Sequence, residues 1–163
     1  KEILRSKKNP KVIEIGGGLG RNAIYARRLG INDYTIVDIP ITSLAQGNFL
    51  MRTIGSDNIS LSGEGQDDSN KIKLISPKEF LESNIEYDLV LNVDSMTEIS
   101  IEDAKKYIQK IRECTRLFLS INHEENVFTI KQLINSTSNS FSKTRYPHWM
   151  MKGYAEELYE FSK

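Results

Sequence analysis

Lys11-Val12-Ile13-Glu14-Ile15-Gly16-Gly17-Gly18-Leu19-Gly20-Arg21 is the stretch that decides the fold. Its first five residues read as a short buried strand, Lys11–Ile15. Glycines follow at once. Leu19, Ala23 and Ala26 then recur on one helical face up to Leu29, with Gly30 as the stop. Glycine lets the chain turn sharply and lets a ligand approach the backbone closely. The unpaired amides of the helix start favour negative groups. A strand-to-helix turn with no ligand is the plainer reading of the same residues.

Outward from the loop the alternation continues. Tyr34–Asp38 is a second strand. Pro40 opens a helix in which Ile41, Leu44, Ala45 and Phe49 follow helical spacing, and Gly55 ends it. Residues 56–70 are polar, with Gly63, Gly65, Asp67 and Asp68, and read as an exposed loop carrying a short strand at Ile59–Leu61. Lys71–Ile75 is the next strand, and Ser76-Pro77-Lys78-Glu79 is a capped helix start. Tyr87–Val93 is a buried strand. Ser100 caps a helix whose core stripe is Ile101, Ala104, Tyr107, Ile108 and Ile111. Arg116–Asn122 is a fifth strand and Phe128–Ile134 a helical piece. Phe141–Tyr146 and Ala155–Ser162 are expected to pair as antiparallel strands. The pattern predicts one α/β domain over residues 1–163, a doubly wound, mostly parallel seven-stranded sheet of Rossmann-like kind with a C-terminal antiparallel hairpin. Ligands of such sheets bind beyond the carboxyl ends of the strands.

Composition narrows the function. The 163 residues include 22 basic and 22 acidic side chains, a formal net charge of zero, which argues against a dedicated nucleic-acid binder. No apolar run approaches the roughly 18–20 residues of a membrane span. The single cysteine, Cys114, reads as inert core, forms no internal disulfide and points to a reducing cytoplasm. The chain begins Lys1-Glu2-Ile3, and its first strand comes ten residues in, so a fragment lacking an N-terminal segment is expected. The sequence sets no oligomeric state.

Two ligand classes compete for the loop. A dinucleotide fingerprint wants glycine or alanine where this chain has Arg21. Glu14, at the end of a buried strand, would oppose a pyrophosphate but suit the cationic amine and sulfonium of S-adenosylmethionine. Its plainer role is a structural acid bonded to loop amides. Asp38 lies about 20 residues beyond the loop, where an acid accepts from ribose hydroxyls; a turn residue or cap is the alternative. Ile39 is placed to pack on the adenine. These residues favour S-adenosylmethionine over a nicotinamide cofactor. An NAD(P)-dependent oxidoreductase, and a catalytically silent scaffold of the same fold, are the rival readings.

With Glu14 to Gly20 and Asp38 in place, the chain resembles class I S-adenosylmethionine-dependent methyltransferases over nearly its whole length. Asn92-Val93-Asp94-Ser95-Met96-Thr97-Glu98, Ser120-Ile121-Asn122-His123-Glu124 and Tyr146-Pro147-His148-Trp149-Met150-Met151-Lys152-Gly153-Tyr154 look like segments of a family of bacterial sugar O-methyltransferases associated with surface-glycan modification. The resemblance implies cofactor contacts at Glu14, Gly16, Gly18 and Asp38, to which Gly17 and Asn92 are added, and a helical segment upstream. Transfer to an alcohol wants a base or a metal. His123 is the first candidate base, since histidine titrates near neutrality, with Asp94 or Glu98 orienting it or binding sugar hydroxyls. The alternative is magnesium held by Asp94 with Asn122 or Glu124. Arg145, Tyr146, His148 and Trp149 form a basic-aromatic cluster suited to the faces and hydroxyls of a sugar or glycan, or equally to packing.

Overall fold

The computed structural model describes residues 4–64, 68–137 and 141–162. The chain divides into two compact units, up to Ser83 and from Asn84 onward. The first unit runs β1 (Lys11–Ile15), α1 (Arg21–Arg28), β2 (Asp33–Val37), α2 (Pro40–Ile54), a 3-10 turn (Ser56–Asn58), β3 (Ile59–Ser60), β4 (Ile72–Ile75) and α3 (Pro77–Glu82). Its strands lie in the order β3-β4-β2-β1, all parallel. β2 and β4 are buried along their whole length and β1 from Val12 on, as expected of parallel strands covered on both faces. α3 starts on a complete capping box: Ser76 accepts from the Glu79 amide while the Glu79 carboxylate accepts from the Ser76 amide.

Two helices depart from expectation. α1 begins at Arg21, not Leu19, because Gly20 sits at φ +78° and turns the chain before the helix can start. Leu19 is consequently exposed, and Ile24 joins Ala23 in the core. In α2 the expected apolar face points outward: Ile41 and Leu44 are 70% and 72% exposed, whereas Gln46, Gly47 and Leu50 are buried. A Cβ on Gly47 would already touch Leu61 and Leu74 at 3.5 and 3.7 Å. The helix thus packs closest through its smallest residue, and that sets its rotation. Of the polar stretch 56–70, Gly65 and Asp67 lie outside the described residues; Asp68 accepts from the Asn70 amide at 2.8 Å, a local turn.

The second unit runs β5 (Leu89–Val93), α4 (Ile101–Cys114), β6 (Leu117–His123), α5 (Ile130–Thr137), β7 (Phe141–Pro147) and β8 (Tyr154–Phe161). Its order is β5-β6-β8-β7, with β5 and β6 parallel and the two later pairings antiparallel. β5 starts two residues later than expected, Tyr87 making only a single bridge to Thr115. α4 is capped by Ser100 and buries Ala104, Tyr107, Ile108, Ile111 and Cys114, while Ile101 in its first turn stays 38% exposed. Phe118, Phe141 and Phe161 surround the Tyr159 ring at centroid distances of 6.0, 5.6 and 6.5 Å. The short β3 brings the described strands to eight. Among the described residues no helix is long and apolar enough to cross a membrane.

Candidate functional site

The glycine loop closes the carboxyl end of β1. Gly16, Gly18 and Gly20 all have positive φ (72°, 56° and 78°). The Gly16 amide donates to the Val37 carbonyl at 2.8 Å and ties the loop to the end of β2. Gly17 is sterically obligatory, since a Cβ there would stand 2.5 Å from Ile36 Cγ2 and 3.2 Å from Glu14 Oε2. Over Gly18 the space is open: apart from its chain neighbours, nothing among the described residues lies within 4 Å of its would-be Cβ. α1 has no side-chain cap and no acid in its first turn, so its first amides are left for a ligand. A cleft of about 300 Å³ is lined by Gly17, Leu19, Arg21 and Asn22.

Glu14 is 1% exposed. Strand register explains its surroundings: it pairs with Ile36, so Tyr34, two residues earlier on β2, shares its face. Tyr34 donates to Oε2 at 3.0 Å and Asn22 to Oε1 at 2.7 Å. The partners are therefore side chains, not the loop amides, and one donor reaches each carboxylate oxygen. Burial pushes the Glu14 carboxyl above its ordinary range, against the pull of those two donors, and the nearby Asp38 pushes it further. Burial and Glu14 together raise the Tyr34 phenol as well. A raised folded-state value makes the Glu14 contribution complete below the unfolded value and lost as pH rises through the folded one. Glu14→Gln is expected to flatten that fall in stability as pH rises above about 4; urea melts at successive pH values check it, and an unaltered profile would contradict it.

Asp38 follows β2 and is half-buried. Its Oδ1 accepts from the Ile39 amide at 2.9 Å and its Oδ2 from Gln46 Nε2 at 2.7 Å. Desolvation raises its carboxyl; the amides of Ile39 and Gly18, the Gln46 amide and the Thr42 hydroxyl act the other way. Ile39 is 53% exposed, available to a flat ring. Gln46 escaped the sequence reading, because a glutamine inside a helix carries no signal until its rotation is known.

The second unit gathers a different set. Asp94, just after β5, is the one non-glycine residue with positive φ (51°) among those described, a conformation aspartate tolerates better than most. Tyr154 donates to its Oδ2 at 2.7 Å, and this bond above all raises the Tyr154 phenol, with Glu98 adding to it. His123 packs edge-on against the Tyr154 ring at 4.9 Å, and its Nδ1 accepts from the Glu125 amide at 3.2 Å. The expected orientation of His123 by Asp94 or Glu98 is not found: Tyr154 takes the Asp94 carboxylate instead. With Nδ1 an acceptor, neutral His123 carries its proton on Nε2 and presents a donor there. Gly153 makes room for that ring; a Cβ on it would lie 2.6 Å from Nε2.

Several expected ligand contacts are occupied by the protein itself. Asn92, fully buried, donates to Ser95 at 2.5 Å and accepts from Asn122 at 2.8 Å. Asn122 also donates to Ser120 at 2.9 Å, and Asn126 donates to Thr97 in the same region. Both asparagines thus serve a buried network. Arg145 donates to Glu124 and, at 2.7 Å, to Glu157, and these bonds hold its guanidinium above even its high ordinary value. The trio suggested for magnesium is thereby dispersed among other partners, and among the described residues no three His, Cys, Asp or Glu side chains converge. His148 accepts from the amides of Met150 and Met151, organising the hairpin turn. Tyr146 and Trp149 remain exposed, at 62% and 85%.

Solved structures share this architecture. The fold is the Rossmann-like methyltransferase fold. The magnesium protoporphyrin IX methyltransferase of Synechocystis PCC 6803, solved with S-adenosylmethionine bound, superposes over 99% of this chain and 75% of its own, with a TM-score of 0.69 at 14% identity. The PH0226 protein of Pyrococcus horikoshii OT3 matches over 99% and 89%, with a TM-score of 0.70 at 12% identity. The methyltransferase domain of bacterial CtHen1 matches over 98% and 94%, with 0.64 at 11% identity. No family model and no curated protein sequence matches the chain. Within the methyltransferase fold, the antiparallel β6-β8-β7 portion gives the sheet its mixed character.

Proposed function

We propose that the chain is an S-adenosylmethionine-dependent methyltransferase acting on a hydroxyl of a sugar or glycan in the cytoplasm. The observation that carries the donor half is the open glycine loop with Glu14 beneath it and Asp38 at the end of the adjacent strand, its carboxylate held by the Ile39 amide and Gln46. The donor supplies an electrophilic methyl on a sulfonium centre. Asp38 is suited to accept from ribose hydroxyls, and Ile39 to cover the adenine. The negative charge of Glu14 favours the donor's cationic end. Arg21, in place of the third glycine of a dinucleotide fingerprint, weighs against NAD(P).

On the acceptor side the hydroxyl must be aligned and lose a proton. Asp94 is the base in this reading: its carboxylate already receives one hydroxyl, that of Tyr154, at 2.7 Å. His123, presenting Nε2–H, is the better donor to a sugar oxygen. The exposed rings of Tyr146 and Trp149 suit the apolar faces of a sugar, and Glu98, also exposed, suits its hydroxyls. The sugar itself rests on the resemblance of the three segments around Asp94, His123 and Trp149. Magnesium has no place in this reading, because Asn122 and Glu124 are engaged elsewhere.

Thermal melting tests the donor. S-adenosylhomocysteine should raise the melting temperature, and at a hundred times its Kd the gain is about 2.7 kcal/mol. NAD should leave it unchanged; a shift with NAD alone would overturn the proposal. Formation of S-adenosylhomocysteine from S-adenosylmethionine in the presence of methyl glycosides then tests the acceptor class. Turnover with a nucleic acid in their place would reassign it.

A further inference from the structure

Gln46 is fully buried on the inner face of α2, yet its side chain is only half satisfied. Nε2 donates to Asp38 Oδ2 at 2.7 Å, while Oε1 has no hydrogen-bond partner among the described residues. It is the one buried side-chain polar atom so placed among the described residues. A buried acceptor left unpaired destabilises the fold, whereas an apolar side chain of the same shape would not. The neighbours on the same face are Gly47 and Leu50, so an apolar residue would suit the position. Stability therefore does not account for a glutamine at residue 46.

Its bond to Asp38 does. Asp38 has two carboxylate oxygens and stands at the exposed end of β2, where its side chain would otherwise rotate. The Ile39 amide fixes Oδ1 and Gln46 fixes Oδ2, so the carboxylate plane is held from both sides. Each oxygen has a second lone pair beyond the one engaged by Ile39 or Gln46. We infer that Gln46 is a positioning residue: its amide locks the Asp38 carboxylate in the orientation that receives the ribose hydroxyls of the methyl donor. The inference rests on the donor site proposed above. It adds a residue that touches no ligand and acts only through Asp38.

Gln46→Met, near in shape and apolar, separates this role from a structural one. Using the 163-residue chain and S-adenosylhomocysteine as the probe, calorimetry should show affinity weakened about tenfold, the scale of one charge-assisted hydrogen bond lost from the site. The melting temperature of the ligand-free variant should stay level or rise. In an Asp38→Asn background the same change should have little further effect on affinity. Gln46→Glu is the second variant. Two carboxylates at that distance share a proton, so its affinity should recover as pH is lowered, more steeply than in the parent protein. Unchanged affinity in Gln46→Met overturns the inference. So does a variant that melts lower or fails to fold, because the residue would then be structural. Failure of the parent protein itself to bind S-adenosylhomocysteine would instead refute the donor site, a separate outcome.

Discussion

Asp38→Ala should weaken S-adenosylhomocysteine binding by about a hundredfold, on the basis of two lost hydrogen bonds to a charged group, partly offset by water. The loss has two parts. The proposed acceptor for the ribose hydroxyls disappears, and the two donors that hold it, the Ile39 amide and the Gln46 side chain, lose their partner. Because Asp38 is half-buried, water can replace it at the Ile39 amide, while the buried Gln46 amide loses its partner, and the fold should lose about 1–2 kcal/mol. Affinity falling more than stability is the signature to seek, by calorimetry alongside urea melts. Unchanged affinity would remove Asp38 from the donor site.

Arg145→Ala should destabilise the second unit by about 2 kcal/mol, below the 3–5 kcal/mol typical of breaking a buried pair because the Arg145 side chain is itself 33% exposed. Glu157 is the reason. Its side chain is 3% exposed in the middle of β8 and accepts from Arg145 at 2.7 Å, Tyr159 at 2.8 Å and, more loosely, Lys143 at 3.5 Å. Without Arg145 the buried carboxylate keeps only the phenol and the distant ammonium. Burial and Glu157 already push the Tyr159 phenol well up, so that hydroxyl remains a neutral donor and supplies no charge. Combining Arg145→Ala with Glu157→Leu should restore part of the loss, since an apolar side chain needs no partner. A double variant no more stable than the single one would show that the pair is not what holds the hairpin. Any loss of activity in Arg145→Ala has this route to pass through before it is taken as loss of a sugar contact.

The fold was legible because its punctuation is strong. Gly16 to Gly20, Ser76-Pro77 and Ser100 each mark a turn or cap that the structure contains. The alternation of strand and helix survives errors of a residue or two at their ends. What escaped the sequence was rotation and partnership. Ile41 and Leu44 have helical spacing, yet the close approach of Gly47 to Leu74 turns them outward and Gln46 inward. Asn92, Asn122 and Arg145 are residue types that bind ligands, yet a neighbour encoded far along the chain already occupies each of them. The pairing of Asp94 with Tyr154 spans 60 positions, beyond any local pattern. Glu14 and Asp38 could be proposed from the sequence because the glycine loop fixes their distance along the chain, which no such marker does for Asp94 or His123.

β7 and β3 lie outermost in their units among the described strands, and their chemistry bears on behaviour at high concentration. An unpaired strand edge is a template for a second molecule. β3 is two residues long, too short to recruit one. β7 spans seven residues but carries Lys143 and Arg145 and ends in Pro147, which has no amide to donate. Cations and a terminal proline on an edge disfavour sheet extension. The hairpin that presents Trp149 to solvent is thereby guarded against pairing with a second copy along its β7 edge.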